Sequence, residues 1–212
     1  MALSKFKPAS FDLTDNYAFT GTTTGVTDTN QLVLIKTLTA DNSATTLTFV
    51  NGASGVVLDG TYKTYLFKFI NMHPVSNQVD LQVNFRDGGT AYDATKHTTY
   101  FETYHAEDNS GAAVGYVTGL DIANGTGFQT LHRYVGNGAD ECSAGEMYLF
   151  NPSSTTFVKH FMSESLNYTG NNFTNTTRVS GYVNVTAAID GVQFKSSSGN
   201  IEAGTIKLYG IL

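Results

Sequence analysis

The sequence predicts an all-β protein, an antiparallel β-sandwich of the jelly-roll or Greek-key type with about ten short strands. The first observation behind this prediction is composition, because charged residues make up 14% of the chain and Thr, Ser, Asn and Gly supply much of the polar surface. Second, short apolar or alternating stretches are separated at regular intervals by turn residues. Third, no segment shows a long helical period and no internal repeat is visible, which disfavours propellers and β-helices.

The predicted strands of the first half are recognised by their apolar patterns. Residues 32–35 are a continuous apolar run, typical of a strand buried on both faces. Residues 79–85 alternate apolar and polar side chains and show the clearest period of two in the chain. Residues 98–105 are rich in β-forming residues, although a short helix is the alternative there. In order, strands are predicted over residues 32–35, 46–49, 65–70, 79–85 and 98–105.

The second half combines long polar stretches with further strands. Residues 106–144 and 165–178 are rich in Gly, Asn, Asp or Thr and are predicted to be loops. Between them, residues 147–150 and 156–161 flank the turn-forming residues 151–154, which predicts a β-hairpin. The last predicted strand follows a Gly-Asn turn and continues towards the C-terminus, which predicts a terminal strand inside a sheet. The remaining strands are predicted over residues 181–185, 192–195 and 206–209.

Two regions are expected along the chain. Residues 31–212 are predicted to form one β-sandwich domain, because no low-complexity linker divides them. Residues 1–30 are predicted to be an extended N-terminal arm, with aromatic residues spaced through Thr-rich polar sequence. The arm either packs on its own domain as an edge strand or reaches a neighbouring subunit or a host surface. The candidate protein-interface residues are Phe6, Phe11, Tyr17 and Phe19.

Charge and cysteine content limit the partners and the compartment. The net charge is −6 and the 12 basic residues are scattered, which argues against nucleic acids and anionic membranes as partners. Cys142 is the single cysteine, so no intrachain disulfide can form, and a spectator thiol is predicted. The N-terminus lacks the apolar core of a signal peptide, and no long apolar run is present. We therefore expect synthesis as a soluble cytoplasmic product.

No motif in the sequence marks a catalytic or cofactor site. The five histidines form no HxH, HxxxH or HExxH pattern, and no pair of carboxylates stands out, so a non-enzymatic protein without a cofactor is predicted. Asp87 and Asp93 flank a Gly-Gly pair and could bind calcium, although an ordinary turn is the better prediction. Loop tyrosines either pack structurally or stack on sugars. They are Tyr62, Tyr92, Tyr104, Tyr116, Tyr134 and Tyr168.

Four segments resemble structural proteins of tailed bacteriophage particles, especially marine phages. The segments cover residues 11–22, 62–69, 150–157 and 199–211, in the same order as in that family. Their motifs are turns and strands and carry no chemical signature. The resemblance implies a non-enzymatic virion component with a jelly-roll-like sandwich, and it implies no catalytic residue.

Together these expectations favour a head decoration or cement protein, made in the host cytoplasm and then located in the virion. Its partners would be major capsid or tail proteins and further copies of itself in a symmetric homo-oligomer, of which a trimer is one form. The alternative is a receptor- or glycan-binding module that contacts host surface glycan through loops 106–144 and 165–178 at an exposed tip. A glycan-degrading enzyme is the third hypothesis, and no marked acid pair supports it.

Overall fold

The computed structural model describes residues 32–43 and 45–212, which form twelve β-strands and no helix. The predicted arm, with Phe6, Phe11, Tyr17 and Phe19, lies outside the described residues. The strands are β1 (Leu32–Ala40), β2 (Thr46–Val50), β3 (Thr64–Pro74), β4 (Val79–Arg86), β5 (Lys96–Ala106), β6 (Ala112–Tyr116), β7 (Gln129–Val135), β8 (Ser143–Phe150), β9 (Lys159–Tyr168), β10 (Phe173–Val183), β11 (Gly191–Ser196) and β12 (Ile201–Ile211).

The strands form two antiparallel sheets. The larger sheet has the order β1-β12-β3-β8-β9-β10-β5-β6, and the smaller has the order β2-β11-β4-β7. The all-β antiparallel sandwich predicted from the sequence is therefore confirmed, with twelve strands in place of about ten. Strand β12 lies between β1 and β3, so the last strand of the chain is held inside a sheet, as predicted.

The core lies between the sheets and follows from alternation along the strands. In β4, Val83 and Phe85 point inward and are fully buried, because every second residue of a strand faces the same side. Phe194 of β11 packs edge-on against Phe67 and Phe69 of β3, with ring centroids 5.3 and 5.2 Å apart. Edge-to-face aromatic pairs each add about 0.5–1.5 kcal/mol beyond the burial of their surface. These rings therefore bind the two sheets together.

Backbone carbonyls of β7, at the edge of the smaller sheet, accept hydrogen bonds from side chains of the larger sheet. The Ser165 hydroxyl donates to the carbonyl of Leu131 at 3.2 Å, and the Thr177 hydroxyl donates to the same oxygen. The Asn167 amide donates to the carbonyl of Arg133 at 2.6 Å. Buried carbonyls at a strand edge need such partners. These bonds fix the position of β7 above β9 and β10.

Two lysines are fully buried without a carboxylate at hydrogen-bond distance. The Lys159 ammonium donates to the carbonyls of Val185 and Thr186 at 3.0 and 2.9 Å, and also to that of Ala187. The Lys96 ammonium donates to the carbonyl of Gly127 at 2.7 Å. Burial lowers the pKa of both lysines, that of Lys96 to about 8. Each lysine ties a loop to the larger sheet.

Several boundaries differ from the sequence prediction. The predicted loop 106–144 contains β6 and β7, and the predicted loop 165–178 consists mostly of the ends of β9 and β10. Polar side chains of β9 and β10 make hydrogen bonds to β7 across the core, so these strands lack a simple apolar alternation. Strand β6 differs, because all five of its residues are exposed. The predicted hairpin is confirmed, since β8 pairs with β9, but the connection runs over residues 151–158. Residues 98–105 are strand, so the helical alternative was wrong.

Within residues 32–43 and 45–212, the structure contains no helix that could traverse a lipid bilayer.

Candidate functional site

A cavity opens between the two sheets where the smaller sheet ends at β7. Its volume is about 300 Å³, which is within the range of small-molecule sites. We call it the edge cavity. Its walls come from β5, from β7 and from the β9–β10 turn with the start of β10. Three aromatic and five polar residues line it: Tyr104, Tyr134 and Phe173, and Glu102, Arg133, Thr169, Asn171 and Asn175.

Strand register places the cavity side chains of the larger sheet on its inner face. Glu102 and Tyr104 are two residues apart on β5, so they share the face that points towards β7. Tyr104 is directly opposite Asn175 of β10 in the ladder. The Tyr104 ring also meets the Phe173 ring edge-on, with centroids 5.6 Å apart. One wall of the edge cavity is thus aromatic, and the buried amide of Asn175 lies beside it.

Tyr134 is held in an unusual backbone conformation at the other wall. Its φ is 56°, in the left-handed region that is strained for a bulky residue, at a cost of about 1–3 kcal/mol. Its ring is 42% exposed. The Arg133 guanidinium lies 4.3 Å from the ring centroid and donates to the Tyr134 hydroxyl at 2.9 Å. Strain of this kind is commonly retained at functional sites.

Two buried oxygens in the cavity wall have no hydrogen-bond partner among the described residues. Arg133 donates to one carboxylate oxygen of Glu102 at 2.6 Å, and the other oxygen, Oε2, receives no hydrogen bond. The side-chain oxygen of Asn175 is also unpartnered, and Asn175 is 4% exposed. A buried polar group without a partner costs about 1–3 kcal/mol. Two hydrogen-bond acceptors of the cavity wall are therefore left without a donor among the described residues.

Asp80 of β4 lies behind Tyr134. Its carboxylate accepts hydrogen bonds from the Tyr134 backbone amide at 3.0 Å and from the Thr130 hydroxyl at 3.1 Å. Burial raises the pKa of Asp80, and these two hydrogen bonds offset part of the rise. Of the described residues that line the edge cavity, Glu102 is the one carboxylic acid, and it is paired with Arg133. A facing pair of free acids is not part of this lining.

The loops beside the edge cavity meet at one end of the sandwich. The Glu107 amide donates to the carbonyl of Asn172 at 3.0 Å, and the Gly136 amide donates to that of Tyr168 at 3.1 Å. The side-chain amides of Gln78 and Asn171 bond to each other at 2.8 and 3.2 Å. Turns from both predicted loop regions, 106–144 and 165–178, are thus neighbours in space.

The structure separates Tyr134 and Tyr168, two of the loop tyrosines considered as sugar contacts. Tyr134 lines the edge cavity, whereas Tyr168 lines a shallow groove on the outer face of the larger sheet. The Tyr168 hydroxyl donates to Glu107 at 3.2 Å. Tyr104 joins Tyr134 in the cavity. Tyr116 is on the outer face of β6, where its ring packs edge-on against Phe101.

Cys142 and His105 line the same outer groove without being close. Cys142 is beside Tyr168 of β9, while His105 is opposite Thr174 of β10. Three strand spacings separate them, roughly 14 Å at about 4.8 Å each, too far for a proton to pass directly between them. Among the described residues, no three His, Cys, Asp or Glu side chains are arranged to hold a metal ion.

The outer face of the larger sheet carries an apolar patch. Five side chains from adjacent strands are in register and form one row: Leu34, Tyr209, Leu66, Tyr148 and Met162. A second row beside it includes Leu32, Ile211 and Phe150. We call these two rows the outer patch. Leu32, Leu34 and Met162 are 50%, 52% and 39% exposed, whereas Leu66 in the middle of the first row is 2% exposed.

Sequence patterns named some cavity residues and missed others. Tyr104 and Tyr134 appeared among the loop tyrosines, whereas Glu102, Arg133, Phe173 and Asn175 were not singled out. Asn175 was missed because its Asn- and Thr-rich segment was predicted to be a loop. No family model, curated protein or solved structure matches the chain.

Proposed function

We propose that the protein is a non-enzymatic structural protein of a tailed-phage particle, and specifically a head decoration or cement protein that binds the particle surface. The resemblance of residues 11–22, 62–69, 150–157 and 199–211 to such proteins supports the proposal. The structural observation that carries it is the outer patch, because a decoration protein needs a broad face for other virion proteins.

The outer patch has the properties of an assembly surface. Its rows run across β1, β12, β3, β8 and β9, with Leu34 and Met162 exposed at the two ends of the first row and the buried Leu66 between them. Exposed apolar side chains grouped on one face mark protein–protein contacts in soluble proteins. A capsid protein or a second copy of the chain would cover the patch, and a symmetric homo-oligomer, a trimer among the options, would repeat the contact.

The predicted arm is suited to the same role by its position in the chain. Residues 1–30 precede β1, which is the edge strand of the larger sheet among the described strands and forms one border of the outer patch. A free strand edge can accept a further strand from a neighbouring molecule. The proposal assigns Phe6, Phe11, Tyr17 and Phe19 to contacts with a neighbouring virion protein.

Counting copies per particle tests this function. Quantitative mass spectrometry of purified particles should find hundreds of copies if the protein covers the head. A dozen copies would instead place it at the tail or at a vertex, and its absence from purified particles would refute the proposal. The major capsid protein, counted in the same sample, is the internal control.

A receptor- or glycan-binding module is the second candidate function. The edge cavity and the neighbouring turns at one end of the sandwich favour it, because they bring aromatic and amide side chains together near the surface. Purified protein that blocks adsorption of the phage to host cells would support this candidate. Full decoration of the head without any effect on adsorption would favour the first.

A further inference from the structure

We infer that the edge cavity binds one ring of a neutral, hydroxyl-rich carbohydrate. The inference gives the proposed receptor- or glycan-binding function a defined site and a ligand class. Its biological role rests on that proposed function. The binding itself does not depend on where in a particle the protein is located, or on the outer patch.

The first argument concerns the polar groups that the fold leaves unsatisfied. Glu102 Oε2 and the side-chain oxygen of Asn175 are buried in the cavity wall, and neither accepts a hydrogen bond from a described residue. Buried oxygens in native proteins nearly always have a partner. Both groups are acceptors, so the missing partner must donate hydrogen bonds. Because neither oxygen is exposed, its side chain has to turn towards the cavity to meet a donor there. Sugar hydroxyls are hydrogen-bond donors arranged around a ring.

The second argument concerns the aromatic walls. Tyr104 and Phe173 form one wall through their edge-on contact, and Tyr134 stands at the other. A sugar ring presents C–H groups on its faces and hydroxyls around its rim, so it needs apolar surfaces and polar partners in one site. Ligand sites commonly have this composition, with mostly apolar walls and a few fixed polar groups.

The third argument concerns charge and selects a neutral ligand. Arg133 is the cation of the cavity lining, and it is already engaged by Glu102 and by the Tyr134 hydroxyl and ring. A phosphate or carboxylate would have to break this pair and would meet Glu102 directly. An ammonium ligand would meet Arg133. A neutral ligand can bind while the ion pair remains intact.

The fourth argument is that the site is preorganised. The Tyr134 ring reaches the cavity because its backbone is held at a φ of 56°. The hydrogen bond from its amide to Asp80 holds that conformation. The Ser165 and Asn167 side chains fix β7 from the larger sheet. A wall that is fixed before binding loses little conformational freedom when a ligand enters.

The test uses the full-length protein and four neutral probes, the methyl glycosides of glucose, galactose, mannose and N-acetylglucosamine. Saturation-transfer NMR identifies binding, and titration gives the dissociation constant. We expect saturable binding of at least one glycoside. Tyr134→Ala and Asn175→Leu should each weaken binding by about tenfold or more, since the first removes an aromatic wall and the second a hydrogen-bond acceptor.

Matched controls keep the result interpretable. Tyr116→Ala removes a tyrosine of similar exposure, 44%, that lies outside the cavity, and binding should be unchanged. Thermal melting checks the fold of each variant, and Asn175→Ser replaces Asn175→Leu if the latter does not fold. No saturable binding by any glycoside would overturn the inference, as would binding that both cavity variants leave intact. Tighter binding of methylammonium or inorganic phosphate at the cavity would overturn the neutral ligand class.

Failure of this inference is distinguishable from failure of the proposed function. Particle composition is measured without any sugar, and sugar binding is measured on the isolated protein. A decorated head with an inert cavity would retain the first candidate and remove the inference.

Discussion

The carboxylate of Asp80 accepts a hydrogen bond from the backbone amide of Tyr134 at 3.0 Å. This contact joins β4 to β7 at a point where the regular pairing of the two strands is shifted. It also stabilises the left-handed backbone that directs the Tyr134 ring towards the edge cavity. One buried acid therefore determines the shape of a site that it does not itself line.

Replacing Asp80 should destabilise the fold measurably. Asp80→Ala leaves the Tyr134 amide and the Thr130 hydroxyl without an acceptor, so the free energy of unfolding should fall by about 1–3 kcal/mol. Asp80→Asn keeps one acceptor oxygen and should lose less. Urea denaturation of the three proteins at pH 7 measures the difference. Equal stability of Asp80→Ala and the original protein would show that Tyr134 does not depend on this contact.

His132 should make stability fall in weak acid. Burial lowers its pKa to about 3, so the folded protein keeps the ring neutral while the unfolded chain takes up a proton below about pH 6.5. Stability from this group is therefore complete above pH 6.5 and is lost as the pH falls towards 3. Between pH 7.5 and pH 5 the expected loss is about 2 kcal/mol.

The control for this prediction is His132→Gln, which cannot titrate and can still bond to Ser143, the partner of His132 Nδ1 at 2.7 Å. Urea denaturation at pH 7.5 and pH 5 should show a smaller pH effect in the variant. NMR titration of the His132 ring in the folded protein is an independent check. A ring that takes up its proton near pH 6 would contradict the prediction.

Lys96 should also make stability rise with pH, in weak base instead of weak acid. Its pKa is about 8 in the folded protein, below its ordinary value, so the unfolded chain holds the proton more tightly. Its contribution to stability therefore rises as the pH increases from about 8 to about 10.5. Lys96→Met should be at least as stable at pH 7, because it removes a buried charge without a carboxylate at hydrogen-bond distance.

Urea denaturation at pH 7 and pH 9.5 checks this prediction, with Lys68→Met as the control because Lys68 is partly exposed. A clear loss of stability in Lys96→Met at pH 7 would mean that the bond to Gly127 outweighs the cost of burying the charge.

Deleting residues 1–25 should separate folding from assembly. All twelve described strands begin at or after Leu32, so the truncated protein should keep its β-sheet circular dichroism and its cooperative melting. It should no longer assemble on particles, because the proposal assigns the aromatic residues of this segment to contacts with a neighbour. Particles produced with the truncated protein and analysed by mass spectrometry provide the measurement. Normal decoration by the truncated protein would show that the segment is not needed for assembly.

The sequence predicted the strands with apolar inner faces better than the strands with polar inner faces. Residues 79–85 were assigned correctly because inward apolar and outward polar side chains produce a direct period of two. Strands β7 and β10 were missed over all or part of their length, because their inner faces include polar residues such as Gln129, Asn175 and Thr177. When the inward side chains of a strand are also polar and form hydrogen bonds across the core, apolar and polar residues no longer alternate. The sequence then lacks the pattern by which a strand is predicted.

The candidate site was less predictable than the fold for a related reason. Glu102, Arg133 and Asn175 belong to three different strands and are far apart in sequence. Their proximity depends on how β7 of the smaller sheet lies over β5 and β10 of the larger one. The left-handed conformation of Tyr134 is equally hidden, because a tyrosine gives no local signal for a positive φ.

By itself, the sequence determined the all-β class, most of the strands and the burial of the final strand, because local alternation and turn residues act over a few positions. The tertiary structure alone decided which strands are neighbours, where the smaller sheet ends and which polar groups remain unsatisfied there. Those outcomes depend on long-range strand pairing and on hydrogen bonds between sheets. Such interactions join residues that are far apart along the chain, and local sequence patterns do not predict which of these residues meet.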